Sequence, residues 1–213
     1  MKQTKQGRGF TLLELLIVIA IIAILSVILV LVLNPAETLK KSRDAQRISD
    51  LSTVKTALGL YMTATTSPQL DGTTGTKNTL CVGGAGNDTI YYSAASITDF
   101  PATFLATVAT TTAGADGTGW IPVNLASLTG GSPLSNFPLD PTNTYTAAAA
   151  MTNADLVYRY ACKSSPLTFE MDATLESTAY TVEDNKMTKD GGNNALVYEV
   201  GTDLTILPSS NDF

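Results

Sequence analysis

Residues 15–33 run without a charge and with one polar side chain, Ser26. Leu, Ile, Val and Ala fill the remaining positions, and neither Gly nor Pro interrupts them. As a helix this run spans roughly 28 Å, close to the hydrocarbon thickness of a bilayer. A single membrane anchor explains such a run, and so does a cleavable secretory signal. The secretory signal requires a small-residue cut site just after the apolar core. Here the chain continues Val32, Leu33, Asn34, Pro35, Ala36, Glu37, with no A-x-A pattern. The run also exceeds a usual signal core, which favours the anchor.

Charge is partitioned around this run. The first nine residues hold Lys2, Lys5 and Arg8 and no acid. Residues 10–33 hold one ionisable side chain, Glu14. Residues 34–55 carry five bases against three acids, and from Thr56 onward five bases meet fifteen acids. The order is a basic leader, an apolar rod, a basic collar and an acidic body. The two flanks of the rod are nearly balanced under the positive-inside rule, so charge alone does not orient it. The net charge of −6 argues against direct nucleic-acid binding, which needs basic surface to neutralise phosphates. The chain contains no His, which removes Ser-His-Asp and Cys-His nucleophilic sites. Two Cys cannot build a four-thiolate metal site. No nucleophile–base pair is marked, and an enzyme is not expected.

Glu14 breaks the pattern of a simple anchor. A carboxylate at or inside the membrane edge costs several kcal/mol unless it is paired or snorkels to the headgroups. Gly9 and Phe10 sit at the junction between leader and rod. The string Arg8, Gly9, Phe10, Thr11, Leu12, Leu13, Glu14, Leu15 resembles the class III signal of type IV pilins and pseudopilins. The resemblance implies cleavage after Gly9 by a prepilin peptidase and N-methylation of the new terminal Phe10. It implies that Glu14 serves assembly, pairing with the terminal amine of a neighbouring subunit and setting axial register. It further implies a homo-oligomeric helical filament, an assembly ATPase and a membrane platform as partners, and a single-pass membrane precursor. Many type IV pilins carry a Gly and a Pro inside this helix. Here Pro35 lies past the apolar run, where Asn34-Pro35 is expected to kink or open the helix.

Beyond Pro35, Ala45, Ile48, Leu51, Val54, Leu58 and Tyr61 recur at helical spacing. The opposite face carries Lys40, Arg43, Arg47 and Asp50 and reads as solvated. Residues 10–64 are thus expected to form one rod of roughly 80 Å. The expected organisation is leader 1–9, apolar helix 10–34, amphipathic helix 35–64 and globular head 65–213. Residues 65–78 and 83–88 read as loops. Residues 97–109 are of mixed character, with a short helix expected near Pro101. In the head, Leu167, Phe169, Met171, Ala173 and Leu175 alternate with polar residues as a strand does. Residues 156–162 form a weaker strand candidate, joined to the first by a turn over 163–166. Residues 178–182, 195–200 and 204–207 complete the strand list. The fold class is α+β, a long helical stalk packed on a small antiparallel sheet. Pro138, Leu139, Asp140 and Pro141 are similar to a Pro-Asp-Pro segment found before the sheet in many pilins and pseudopilins.

Cys81 and Cys162 are the only thiols, and a head outside the cytoplasm allows a disulfide between them. Closing a loop of that size stabilises a fold by roughly 4 kcal/mol in the entropic view; two free buried thiols are the alternative. No cofactor is required. Some secretion pseudopilins hold calcium in a C-terminal loop, so the resemblance raises Asp140, Asp190 and Asn193 as oxygen ligands for Ca2+. A simple Asx-rich turn explains the same residues. The leading functional expectation is a structural subunit of a type IV pilus-like filament. A pseudopilin of a type II secretion or DNA-uptake machine shares its signal. A monomeric membrane-anchored surface binding module is the reading from a different class.

Overall fold

The computed structural model describes residues 9–72, 77–95, 97, 104–146 and 151–209. Helix α1 runs Leu12–Leu33 and helix α2 runs Pro35–Ala64. The expected continuous rod is therefore interrupted at one residue, Asn34, whose φ of 37° lies in the left-handed region. Asn tolerates that conformation better than most residues, and the following Pro disfavours the right-handed one. Asn34 also starts α2. Its carbonyl accepts from the amides of Glu37 (3.1 Å) and Thr38 (3.2 Å), and its Oδ1 accepts from Glu37 at 3.4 Å. Pro35 follows at the first helical position, where the missing N–H costs nothing.

The chain divides into two compact units, Met1–Leu39 and Lys40–Phe213. The second contains a five-stranded sheet in the order β2-β1-β3-β4-β5. Its strands are β1 Thr89–Tyr92, β2 Ala106–Ala109, β3 Tyr158–Ser164, β4 Leu167–Ala173 and β5 Tyr198–Gly201. The central hairpin β3–β4 pairs Tyr160 with Met171 and Cys162 with Phe169, turning at a cis Ser165-Pro166 peptide. The sheet is mixed rather than antiparallel, because β1 and β2 pair in parallel. Three local expectations give way to tertiary context. Residues 179–183 form a π-helical turn, with the amides of Tyr180 and Thr181 bonded to the Ser177 carbonyl. Residues 204–207 are a turn, not a strand. In the stretch read as partly helical, 106–109 is strand β2, while residues 98–103 around Pro101 lie outside the described residues.

Two apolar layers sandwich the sheet. Leu51, Val54, Ala57, Leu58 and Tyr61 of α2 pack with Tyr158, Tyr160, Phe169 and Met171 on one face. The far face carries Ile90, Tyr92, Ala161, Val197 and Leu207. Cys81 and Cys162 form a disulfide that ties the segment before β1 to β3. Beside it, the amide of Val82 donates to the Cys162 carbonyl at 2.7 Å.

The N-terminal part of the α2 stripe departs from the expected one. Ala45 is exposed, and the buried line instead passes through Asp44 and Arg47, both fully buried. Arg47, expected on the solvated face, is enclosed because the head supplies acceptors for its whole guanidinium. Nε and Nη2 form a fork with Asp140 (2.6 and 3.0 Å). Nη1 donates to Asp44 and to Glu176 (2.7 Å each), and Nη2 also reaches the Thr142 hydroxyl at 3.1 Å. Arg43 makes a second fork to Glu176 (2.9 and 3.0 Å), and that bond, with help from Arg47, holds the Glu176 carboxyl below its ordinary range. Asp44 in turn accepts from the amides of Glu176 and Ser177.

Removing one member of a buried ion cluster costs about 3–5 kcal/mol, because the partners remain buried without compensation. Arg47→Ala is expected to lower the head's unfolding free energy by about that amount. Arg47→Lys should not restore it, since an ammonium cannot form the fork to Asp140. Urea melts of the detergent-solubilised chain followed by near-ultraviolet circular dichroism would check this. Midpoints equal to the wild type's would refute it.

Candidate processing and assembly site

Gly9 and Phe10 lie outside regular secondary structure and are exposed, and Phe10 is 81% accessible. A Cβ built on Gly9 would meet no atom of the described residues within 4 Å. The Gly9-Phe10 peptide is open to an incoming macromolecule.

The helix begins two residues later with a reciprocal cap. The Thr11 hydroxyl accepts from the Glu14 amide at 3.1 Å, and Glu14 Oε2 accepts from the Thr11 amide (3.3 Å) and hydroxyl (3.1 Å). This is the T-x-x-E capping box, which satisfies donors that the first helical turn leaves open. The Glu14 carboxylate also sits at the positive end of the helix dipole. Both bonds fall on Oε2, and the residue is exposed. The sequence reading gives Thr11 no role, although its three-residue spacing to Glu14 spells the motif.

Beyond Glu14, α1 carries apolar side chains at every position but Ser26, and its membrane-length window is unburied among the described residues. It is long and apolar enough to cross a bilayer. Its one polar side chain is satisfied internally, the Ser26 hydroxyl donating to the Ile22 carbonyl at 2.7 Å.

The remaining candidate residues are scattered. Pro35 opens α2 directly after the left-handed Asn34. Asp140 does not stand free for a cation. Besides Arg47, its Oδ1 accepts from the amides of Thr142 (2.9 Å) and Asn143 (3.1 Å). Asp190 caps its own turn, accepting from the amides of Gly192 (3.0 Å) and Glu199 (2.8 Å). Asn193 is exposed. Asp140 and Asp190 thus belong to separate hydrogen-bond sets. Among the described residues no group of three or more acidic or thiol side chains is placed to hold a metal ion.

Residues 4–30 match the family model described as the prokaryotic N-terminal methylation motif. No curated protein and no solved structure matches the chain. The matched segment contains Gly9, Phe10, Thr11 and Glu14 and most of α1, so the chain carries the N-terminal methylation signal shared by type IV pilins and pseudopilins.

Proposed function

We propose that this chain is the structural subunit of a type IV pilus-like filament. A prepilin peptidase removes residues 1–9, and the freed amine of Phe10 is methylated. The mature chain waits in the cytoplasmic membrane as a single-pass protein, and an assembly ATPase with its membrane platform drives it into the filament. The observation that carries this reading is α1 itself. It is a 22-residue helix, apolar all round, headed by an acid and preceded by an open Gly-Phe bond.

The cleavage supplies what Glu14 needs. Phe10 gains a cationic amine at the edge of the rod, and a neighbour's Glu14 presents an acceptor there. In a low-dielectric core such a pair is strongly directional and fixes axial offset. The apolar rods then exchange lipid for one another, and the heads coat the outside. The assembled form is extracellular or periplasmic, and its activity is polymerisation rather than catalysis. A pseudopilin of a secretion or DNA-uptake machine would use the same chemistry in a shorter fibre, and fibre length in micrographs separates the two.

Glu14→Ala should insert normally and build no filaments. Electron microscopy of cells producing only that variant, beside an immunoblot of their membranes, reads both outcomes; wild-type numbers of filaments would contradict the register role. Gly9→Ala should accumulate as the longer precursor. A mature-length band in that variant would contradict the cleavage assignment.

A further inference from the structure

The far face of the sheet carries a second buried polar cluster that the N-terminal chemistry does not use. Glu170 on β4 and Glu199 on β5 lie diagonally on adjacent strands, since Asp172 pairs with Glu199 and Glu170 with Gly201. Both are buried, 0% and 2% exposed. Each spends one oxygen on backbone amides of a covering segment. Glu170 Oε2 accepts from Ile206 (2.6 Å) and Leu207 (2.7 Å), and Glu199 Oε2 accepts from Asn194 (2.8 Å). The covering segments are tied to each other, because the Asn194 side-chain amide donates to the Pro208 carbonyl at 2.9 Å. The loop backbone is pressed onto the pair. A Cβ on Gly192 would fall 1.9 Å from Glu199 Oε2.

The remaining oxygens, Glu170 Oε1 and Glu199 Oε1, are buried with no hydrogen-bond partner among the described residues. Two buried carboxyls on adjacent strands cannot both hold a charge, and one proton held between them gives each remaining oxygen a partner. The other ionisable groups facing the pair cannot neutralise a second charge. Asp172 and Asp190 are acids, Tyr92 carries no positive charge, and Arg159 is engaged with Asp172.

We propose that Glu170 and Glu199 share one proton and form a latch that holds loop 190–194 and segment 204–208 on the sheet, and that loss of this proton frees both segments. Burial, then the bond to Glu199, pushes the Glu170 carboxyl up to about 10, and burial raises Glu199 as well. The closed state therefore binds a proton that the open state lacks at neutral pH. Its stability is full below the ordinary carboxylate range and is lost progressively as pH rises toward about 10. In that window the closed-to-open ratio falls about tenfold per pH unit.

Amide hydrogen exchange of the full-length chain in detergent micelles, corrected for intrinsic rates, reads this directly. Between about pH 6 and 9 the protection of Ile206 and Leu207 should fall about tenfold per unit in the wild type. Over the same range the Val54 and Leu58 amides of α2 should hold theirs. In Glu199→Gln the amide N–H replaces the shared proton, and protection should be flat with pH. A flat wild-type profile, equal slopes in both proteins, or parallel loss at Val54 would each overturn the latch. Should Glu199→Gln not fold, carbon-13 titration of the wild-type carboxyls decides. One glutamate titrating in the alkaline range is expected, and all glutamates titrating in the ordinary range would overturn the proposal.

Discussion

Helix α1 is apolar on every side, and its membrane-length window is unburied among the described residues. Much of the molecule answers to that constraint. A surface of this kind is stable only in lipid or against other apolar rods. Its interior is built for such a medium, with the Ser26 hydroxyl turned back on the helix and the helix start closed by the Thr11–Glu14 box. The capping box makes a carboxylate tolerable at that position, since Oε2 is already satisfied within the single chain.

The head solves the opposite problem. It carries most of the chain's acids and must still bury a sheet on both faces. On the α2 side the excess is absorbed by Arg47, which gathers Asp44, Asp140 and Glu176 around one guanidinium. The Pro138-to-Pro141 segment is thus more than a turn, because Asp140 forms the fork that pins the chain to α2. On the far side Arg159 meets Asp172, and the next two acids share a proton. One face is neutralised by a base and the other partly by protonation, so the two faces differ in their response to alkali.

Local pattern made some of this readable in advance. The apolar run, the Gly9, Phe10 and Glu14 constellation and the β3–β4 hairpin are all contained within short windows, where periodicity and charge suffice. The pairing of Cys81 with Cys162 was offered by the count of thiols, with free thiols as the alternative. What escaped was decided at long range. Arg47 looks like a surface residue until Asp140, 93 positions away, is brought to it. Alternation in β4 correctly separated Phe169 and Met171 from Glu170 and Asp172. It could not show that the polar face is also covered, by a segment whose Ile206 amide lies 36 positions past Glu170. Residues 178–182 carry Thr, Tyr and Val as a strand does yet wind into a π turn, since Ser177 is held by Asp44 of α2. The parallel β1–β2 pair left no trace in the sequence, because Thr89–Tyr92 is buried on both faces and shows no alternation.

The account turns on a new amine at Phe10 meeting the carboxylate of Glu14. Intact-mass and fragment-ion analysis of the chain recovered from its native cells tests this most directly. The predicted species begins at Phe10 and carries one added methyl group on its terminal nitrogen. A chain that retains residues 1–9, with an unmodified Phe10 inside it, would contradict the account.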